Sequence, residues 1–267
     1  MDKGAEFRAL HVKGVPLLMP NAWDIGSAKV LAALGAKAIA TSSAAHAFTL
    51  GRPDMGTVTR DEALAHAQNL VRAVNVPVSG DFENGFGGDP DTVAETVRMA
   101  AEIGLAGISI EDTALPSIDA YAFEFSVERI KAACAAARAL PKDFVLCARA
   151  DGVMNGAYEI DEAIKRAQAF EAAGADCIFV PVPQSFDDLA RICKSVQVPV
   201  NVVIAGAFRN YKATDFAKIG IARMSLGSSL ARVTHAALIN SACDALNGDF
   251  SALLGAAKGS DVDALLG

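Results

Sequence analysis

Glu171-Ala172-Ala173-Gly174-Ala175, followed at once by the apolar run Cys177-Ile178-Phe179-Val180, decides how this chain folds. An alanine-rich helix end meets a glycine that can take the left-handed conformation closing a helix, and a short strand begins within a few residues. The same unit recurs three more times. Ala32-Ala33-Leu34-Gly35-Ala36 precedes Ala38 to Ser43, Ala101-Glu102-Ile103-Gly104 precedes Gly107-Ile108-Ser109-Ile110, and Ala217-Lys218-Ile219-Gly220 precedes Ala222-Arg223-Met224-Ser225-Leu226. Four more strand candidates lie between these units: Pro16-Leu17-Leu18-Met19, Val76-Pro77-Val78-Ser79-Gly80, Phe144-Val145-Leu146-Cys147-Ala148 and Val198-Pro199-Val200-Asn201-Val202. Glycine-ended helices therefore precede every second strand, which is itself a repeat signal.

Short continuous apolar strands separated by amphipathic helices imply a parallel sheet covered on its faces. Asp89-Pro90 reads as the cap and first residue of one such helix, with Val93, Val97 and Ala100 on one side and Gly104 as its stop. Asp161 is expected to open another, with Ile164, Ala167 and Phe170 inward and Gly174 at its end. Eight strands in 267 residues favour a closed (β/α)8 TIM barrel over an open doubly wound sheet, and no G-x-G-x-x-G follows the first strand. Residues 1–267 are read as one barrel domain. Residues 249–267 form an extra C-terminal helical tail, whose Leu253, Leu254, Leu265 and Leu266 suit packing on another subunit or on the barrel's outside.

A net charge of −7 without any basic run argues against nucleic acid as a partner. An anionic ligand would then need a local attractor, for which a bound cation is the natural candidate. The cysteines (Cys134, Cys147, Cys177, Cys193 and Cys243) are odd in number and contain no C-x-x-C, as expected of reduced thiols in a cytoplasmic protein. No apolar stretch is long enough to span a bilayer, and the N-terminus lacks a signal pattern, so no membrane partner is expected.

In a barrel of this kind the chemistry lies where strands give way to loops at their C-terminal ends. The first strand is followed by Asn21, Trp23 and Asp24, and the second by Thr41, Ser42 and Ser43, with His46 and Asp54 in its loop. The third ends in Asp81-Phe82-Glu83-Asn84 with Gly85, Gly87 and Gly88 behind it, the fourth in Glu111-Asp112, and the fifth in Arg149-Ala150-Asp151. Oxygen ligands drawn from carboxylates suit Mg2+, or Mn2+, and nothing here offers the His/Cys set that zinc prefers. Carboxylates crowded together without a cation would raise one another's pKa and cost stability.

These segments resemble the isocitrate lyase / phosphoenolpyruvate mutase superfamily. Pro20-Asn21-Ala22-Trp23-Asp24, Thr41-Ser42-Ser43 and Leu50-Gly51-Arg52-Pro53-Asp54 are similar to its first two loops. Asp81-Phe82-Glu83-Asn84-Gly85-Phe86-Gly87 is similar to its metal segment D-x-[DE]-x-G-[FY]-G, and Gly107 to Asp112 and Ala148-Arg149-Ala150-Asp151 to its next two strands. The resemblance implies a Mg2+ ion chelating the carboxylate and keto oxygen of a small 2-oxo or 2-hydroxy acid. Asp81 would bind the metal directly, with Asp54, Glu83 and Glu111 holding its waters. Trp23, Ser42 and Ser43 would contact the substrate carboxylate, Arg149 would stabilise the developing enolate, and Glu111 would share in catalysis. It also implies a homodimer or homotetramer with the last helix swapped between subunits.

One departure matters. The lyases of this family carry K-[KR]-C-G-H in the loop after the fourth strand, and the mutases a lysine directly after the Glu-Asp pair. This chain reads Glu111-Asp112-Thr113-Ala114-Leu115-Pro116-Ser117-Ile118-Asp119, with neither lysine nor cysteine. Proton donors left open are Ser117, Asp119, Tyr121 and water. The expected activity is carbon–carbon bond cleavage through the enolate of a 2-oxo acid. The alternatives are an oxaloacetate-type decarboxylase or hydrolase, a phosphoenolpyruvate mutase-like enzyme, and a barrel that binds metal and 2-oxo acid without turnover. A Schiff-base aldolase ranks lower, because no lysine ends a strand. Other residues keep plainer readings: Asp54 as a cap before Thr57, Trp23 as core, His46 as an exposed loop residue, His235 as packing or interface, and Asn201 as an inward hydrogen-bonding group.

Overall fold

Gly35, Gly104, Gly174 and Gly220 have φ of +96°, +92°, +102° and +87°, and each ends a helix just ahead of a strand. A residue with a Cβ adopts this geometry only under strain, so glycine here fixes where each helix stops. The computed structural model describes residues 2–267. Its strands are β1 Leu17–Met19, β2 Ile39–Ala40, β3 Val78–Asp81, β4 Gly107–Glu111, β5 Val145–Arg149, β6 Cys177–Phe179, β7 Val200–Val203 and β8 Arg223–Ser225. All eight are parallel, in the order β1-β8-β7-β6-β5-β4-β3-β2. The ring closes just past β1, where Asn21 bridges Ala40 and the Ala22 amide donates to the Ala40 carbonyl at 2.8 Å. This is the (β/α)8 barrel that the glycine-ended units predict.

Strand alternation sorts the side chains. Ile108, Ile110, Leu146 and Ile178 face outward into a core shared with Val93, Val97, Ala100, Ala163, Ala167 and Phe170 of the covering helices. Ser79, Ser109, Asn201 and Ser225 face inward and border a cavity instead. The helix Pro90–Glu102 has Asp89 as its cap, as expected. The next predicted cap is displaced. Glu159 precedes the helix Ile160–Ala172, and Asp161 lies in its first turn, where its carboxylate meets the positive end of the helix dipole.

The N-terminal helix Lys3–Ala9 packs close beneath the barrel: a Cβ on Gly4 would lie 1.7 Å from the Asp143 carbonyl oxygen. His11 follows it. Its Nδ1 lies 2.8 Å from the Phe7 carbonyl and its Nε2 3.2 Å from Arg223 Nη1, so Nδ1 carries the proton and Nε2 accepts from the guanidinium. Burial, and then the charge of Arg223, push its pKa down to about 3. The ring is therefore neutral in the folded chain and charged, below about pH 6.5, in the unfolded one. The unfolded state binds the extra proton, so the contribution is complete above the unfolded pKa and is lost as pH falls toward 3. Denaturant unfolding should show stability falling across this window by up to about 1.4 kcal/mol per pH unit from this one proton. His11→Gln, which can still accept from Arg223, should remove that part of the slope; an unaltered slope would assign it elsewhere.

Asn201 points inward as expected, accepting from Arg223 Nε at 2.9 Å and donating to Ser225 Oγ at 3.1 Å. The C-terminal part comprises the long helix Ser229–Leu246, a 3-10 turn Ser251–Gly255 and a last helix Gly259–Leu266. The last helix lies on the barrel's outside against the helix Ile25–Ala33, where Lys29 Nζ donates to the Leu266 carbonyl at 2.7 Å. The long helix buries only Ala231 and leaves Val233, Leu238, Ile239 and Leu246 exposed. Among the described residues no helix is long and apolar enough to cross a membrane, and all the cysteines are free thiols.

Candidate active site

Arg149, the last residue of β5, organises the C-terminal face of the barrel. Its Nη1 donates to Asp81 Oδ1 at 2.6 Å, and its Nε and Nη2 hold Asp151 at 3.1 and 2.6 Å. Glu111 Oε2 lies 2.9 Å from the same Nη2. The β4–β5 register sets Glu111 directly beside Arg149, and Asp81 ends β3 one strand further on. Parallel strands of matched length thus deliver these groups to one level.

Asp81 is held on both oxygens. Ser43 donates its amide and hydroxyl to Oδ2, each at 3.0 Å, while Ser109 Oγ approaches Oδ1 at 3.4 Å. The Asp81 amide donates to Thr41 Oγ1 at 2.8 Å. Ser42 is buried and caps the helix Ser43–Thr49. Asp54 borders the same space; burial chiefly raises its pKa, with Asp81 adding to the effect. Glu83 accepts the Gly56 amide at 3.1 Å, and its burial pushes its pKa up to about 7. Burial also raises Glu111, against the opposing pull of Arg149, and lifts Asp151 to about 6.

Asp54, Asp81, Arg149, Ser42 and Ser43 line one cavity of about 220 Å3 at the mouth of the barrel. Glu83 and Glu111 sit immediately behind that wall. Trp23 does not line the cavity; it is half-buried, and its carbonyl lies 3.0 Å from His66 Nε2. His46 departs from the exposed loop position expected of it. It is buried in the helix Ser43–Thr49, stacked on His66 with ring centroids 3.8 Å apart. Burial first, and His66 second, lower its pKa to about 4, which suits packing better than proton transfer at neutral pH. His46 Nε2 is the one buried side-chain nitrogen or oxygen without a hydrogen bond among the described residues. His235 packs edge-on against Phe48, with centroids 5.7 Å apart.

The donor set fits a hard cation of a particular kind. Among the described residues no three Asp, Glu, His or Cys side chains are grouped closely enough to enclose a metal by themselves. Mg2+ does not require such a cage, since it keeps several waters and takes one or two carboxylates together with groups of its ligand. Asp81 facing the cavity, with buried carboxylates behind it held above their usual pKa, matches one direct ligand and several water-holding acids. Asp112 is excluded from that role. It accepts the Asp151 amide at 2.8 Å, the Tyr158 hydroxyl at 2.7 Å and Arg166 Nη1 at 2.9 Å, all away from the cavity.

One contributor, Arg129, escaped the sequence reading, and Asp151, read there only as part of a strand-end motif, has a role that spacing did not give. Asp151 grips Arg149 with both oxygens. Arg129, fully buried, donates to the carbonyls of Gly88 at 2.8 Å, Gly87 at 2.9 Å, Glu111 at 3.2 Å and Asn84, and lies over the Tyr121 ring. It thereby pins the loop after β3 against the end of β4. The only sequence signal was an arginine on the inner side of the helix Phe123–Arg138, beside Ile130 and Ala133. The loop after β4 carries Ser117 and Asp119, which bond to each other at 2.6 Å in an exposed position, while Tyr121 pairs with Asn84 at 3.2 Å. No residue of 113–125 lines the cavity.

Residues 7–246 match the model of the phosphoenolpyruvate phosphomutase family. A solved structure from Burkholderia cenocepacia J2315, described as a lyase/mutase candidate, is 41% identical with a TM-score of 0.93, covering 98% of this chain and 94% of that one. The chain is 35% identical to 2,3-dimethylmalate lyase of Eubacterium barkeri over 73% of its own length and 69% of the lyase. It is 30% identical to oxaloacetate decarboxylase of Pseudomonas savastanoi pv. phaseolicola, over 82% of this chain and 76% of that enzyme.

Proposed function

Because this chain belongs to the phosphoenolpyruvate phosphomutase family, we propose that it is a Mg2+-dependent lyase that cleaves a carbon–carbon bond of a small 2-hydroxy or 2-oxo acid through an enolate. The observation that carries this reading is the convergence of Asp54, Asp81, Glu83, Glu111 and Asp151 around Arg149 at the strand ends. Bound there, Mg2+ supplies Lewis-acid polarisation of the keto oxygen and offsets charge on the enolate.

The chain's own residues do the remaining work. Asp81 is fixed in one rotamer by Ser43 and Ser109, so the metal ligand is oriented before anything binds. Arg149 supplies fixed positive charge beside the place where the enolate oxygen develops, which favours the transition state over the ground state. Glu111 and Asp151 hold that guanidinium in place. Ser42 and Ser43 edge the cavity where the substrate carboxylate would lie.

A second reading, oxaloacetate-type decarboxylation or hydrolysis, is favoured by one observation: the loop after β4 places no side chain in the cavity. An enolate formed there would take its proton from water, which decarboxylation tolerates. Relatives that are named enzymes weigh against a barrel that only binds. The exposed apolar residues of the helix Ser229–Leu246 support a homodimer or homotetramer; the last helix, expected to be swapped, packs on its own barrel in this structure.

The test is a proton-NMR turnover screen over 2-methylisocitrate, isocitrate, oxaloacetate, dimethylmalate, malate and phosphonopyruvate, with Mg2+ and with excess chelator. A 2-oxo acid released from one of the hydroxy acids only with Mg2+ is the expected result. Turnover of oxaloacetate alone would select the second reading. Silence throughout, with oxalate binding equally with and without Mg2+, would overturn both.

A further inference from the structure

The wall of the cavity opposite Asp81 has the reverse electrostatic character. β7 lies four strands round the ring from β3, and the turn Gly206–Asn210 after it carries Arg209. Arg232 stands in the first turn of the helix Ser229–Leu246, which follows β8. Both arginines line the same cavity as Asp54, Asp81 and Arg149. Among the described residues neither forms an ion pair. Arg209 makes one long contact, 3.4 Å, to Ser229 Oγ. The first turn of the long helix contains no acidic residue, and Ser228 makes no side-chain capping bond, so its hydroxyl is free at the cavity edge.

Arg149 differs sharply from these two, since its donors are already shared among Asp81, Glu111 and Asp151. With its donors so engaged, Arg149 has little to offer a second anionic group of a ligand, whereas the two arginines of the opposite rim have no acidic partner among the described residues. The lining also includes the apolar Phe179, Val203 and Leu226, together with Asn201, Ser225 and Arg223, whose guanidinium is already engaged by Asn201 and His11.

From this arrangement we infer that Arg209 and Arg232 form a subsite for a second anionic group at the far end of the substrate. The ligand class is a 2-oxo or 2-hydroxy acid with a short aliphatic middle and a terminal carboxylate or phosphonate. The inference rests on the metal and oxo-acid reading proposed above, and it adds the two residues that select among such acids. Barrel architecture supports the placement, because loops after the seventh and eighth strands, with an adjoining helix start, often receive anions in this fold. The arginines act on binding and selection, with no part in bond cleavage.

The experiment is titration calorimetry with Mg2+ on the intact chain and on the double variant Arg209→Gln/Arg232→Gln. Both positions are exposed, so the variant keeps its core. The probes are oxalate, straight-chain 2-oxo diacids of graded length, 2-oxo monoacids of matching length, and a 2-oxo acid ending in phosphonate. At the best-fitting length the diacid should bind about tenfold more tightly than its monoacid, the scale of one charge-assisted contact at an open rim. The double variant should lose that preference while oxalate binds as before. Equal affinity of diacid and monoacid at every length, or a preference that survives in the double variant, would overturn the subsite. Failure of oxalate to bind with Mg2+ in the unaltered chain would overturn the site reading, and the subsite with it. A terminal phosphonate bound more tightly than the carboxylate supports the subsite and assigns it to a tetrahedral anion; the reverse order assigns it to a planar one.

Discussion

Asp81→Ala should leave a folded barrel that no longer binds oxalate in a Mg2+-dependent way and turns over at least about 10^3-fold more slowly, the scale of losing a principal electrostatic contributor. The expectation follows from geometry. Among the described residues Asp81 is the only carboxylate that both faces the cavity and contacts Arg149, and three further donors fix its oxygens. Its removal deprives the cation of its direct protein ligand and frees one arm of Arg149 to lean into the space. Because its side chain is one-fifth exposed, the cost to folding should be small beside the cost to binding. Circular dichroism and thermal unfolding would establish the fold, and calorimetry with Mg2+ and oxalate the loss of binding. Undiminished Mg2+ affinity in a folded variant would refute the assignment of Asp81 and leave Asp54 as the alternative ligand.

The second large effect belongs to Arg149→Met. Here stability and activity should fall together. Arg149 is almost wholly buried among Asp81, Glu111 and Asp151, and methionine would remove the only cation holding them. Breaking a buried ion pair by deleting one partner costs about 3–5 kcal/mol, since the stranded charges of Glu111 and Asp151 cannot reach water. These two acids could escape only by protonation, and burial already lifts both above their ordinary values. Denaturant midpoints with and without Mg2+ would measure the change. Part of the loss should be recovered when Mg2+ is added, because a bound cation stabilises the folded form by mass action. Arg149→Lys should restore some stability, yet little activity, because a single ammonium cannot serve three carboxylates in fixed directions. A methionine variant as stable as the original would mean that these contacts are not what holds the site together.

The glycines were legible because a backbone requirement is written in one residue. Gly35, Gly104, Gly174 and Gly220 each need a positive φ, so their spacing exposed the repeat before any contact was known. The acid cluster was legible for a related reason: strand ends are local in sequence, and barrel closure alone brings Asp81, Glu111 and Arg149 to one level. Arg129 was not legible. Its four carbonyl partners come from Asn84, Gly87, Gly88 and Glu111, a meeting fixed only by how the helix Phe123–Arg138 packs. Asp151 was read as part of a motif, but its two-oxygen grip on Arg149 depends on side-chain directions that spacing does not contain. His46 misled because loops are usually exposed, whereas the residues after Ser42 here form a buried helical turn.

The cavity's two ends are encoded in different stretches of the chain. The acids and Arg149 come from β2 to β5 and their loops, and the opposite rim comes from the loops after β7 and β8. Heredity can therefore act on them separately. Drift in the later stretch would move the protein among acids of different length while bond-breaking machinery stays untouched, so diversification need not pass through inactive ancestors. A graft of residues 204–232 from a relative onto this chain would be a transplant of taste rather than of trade.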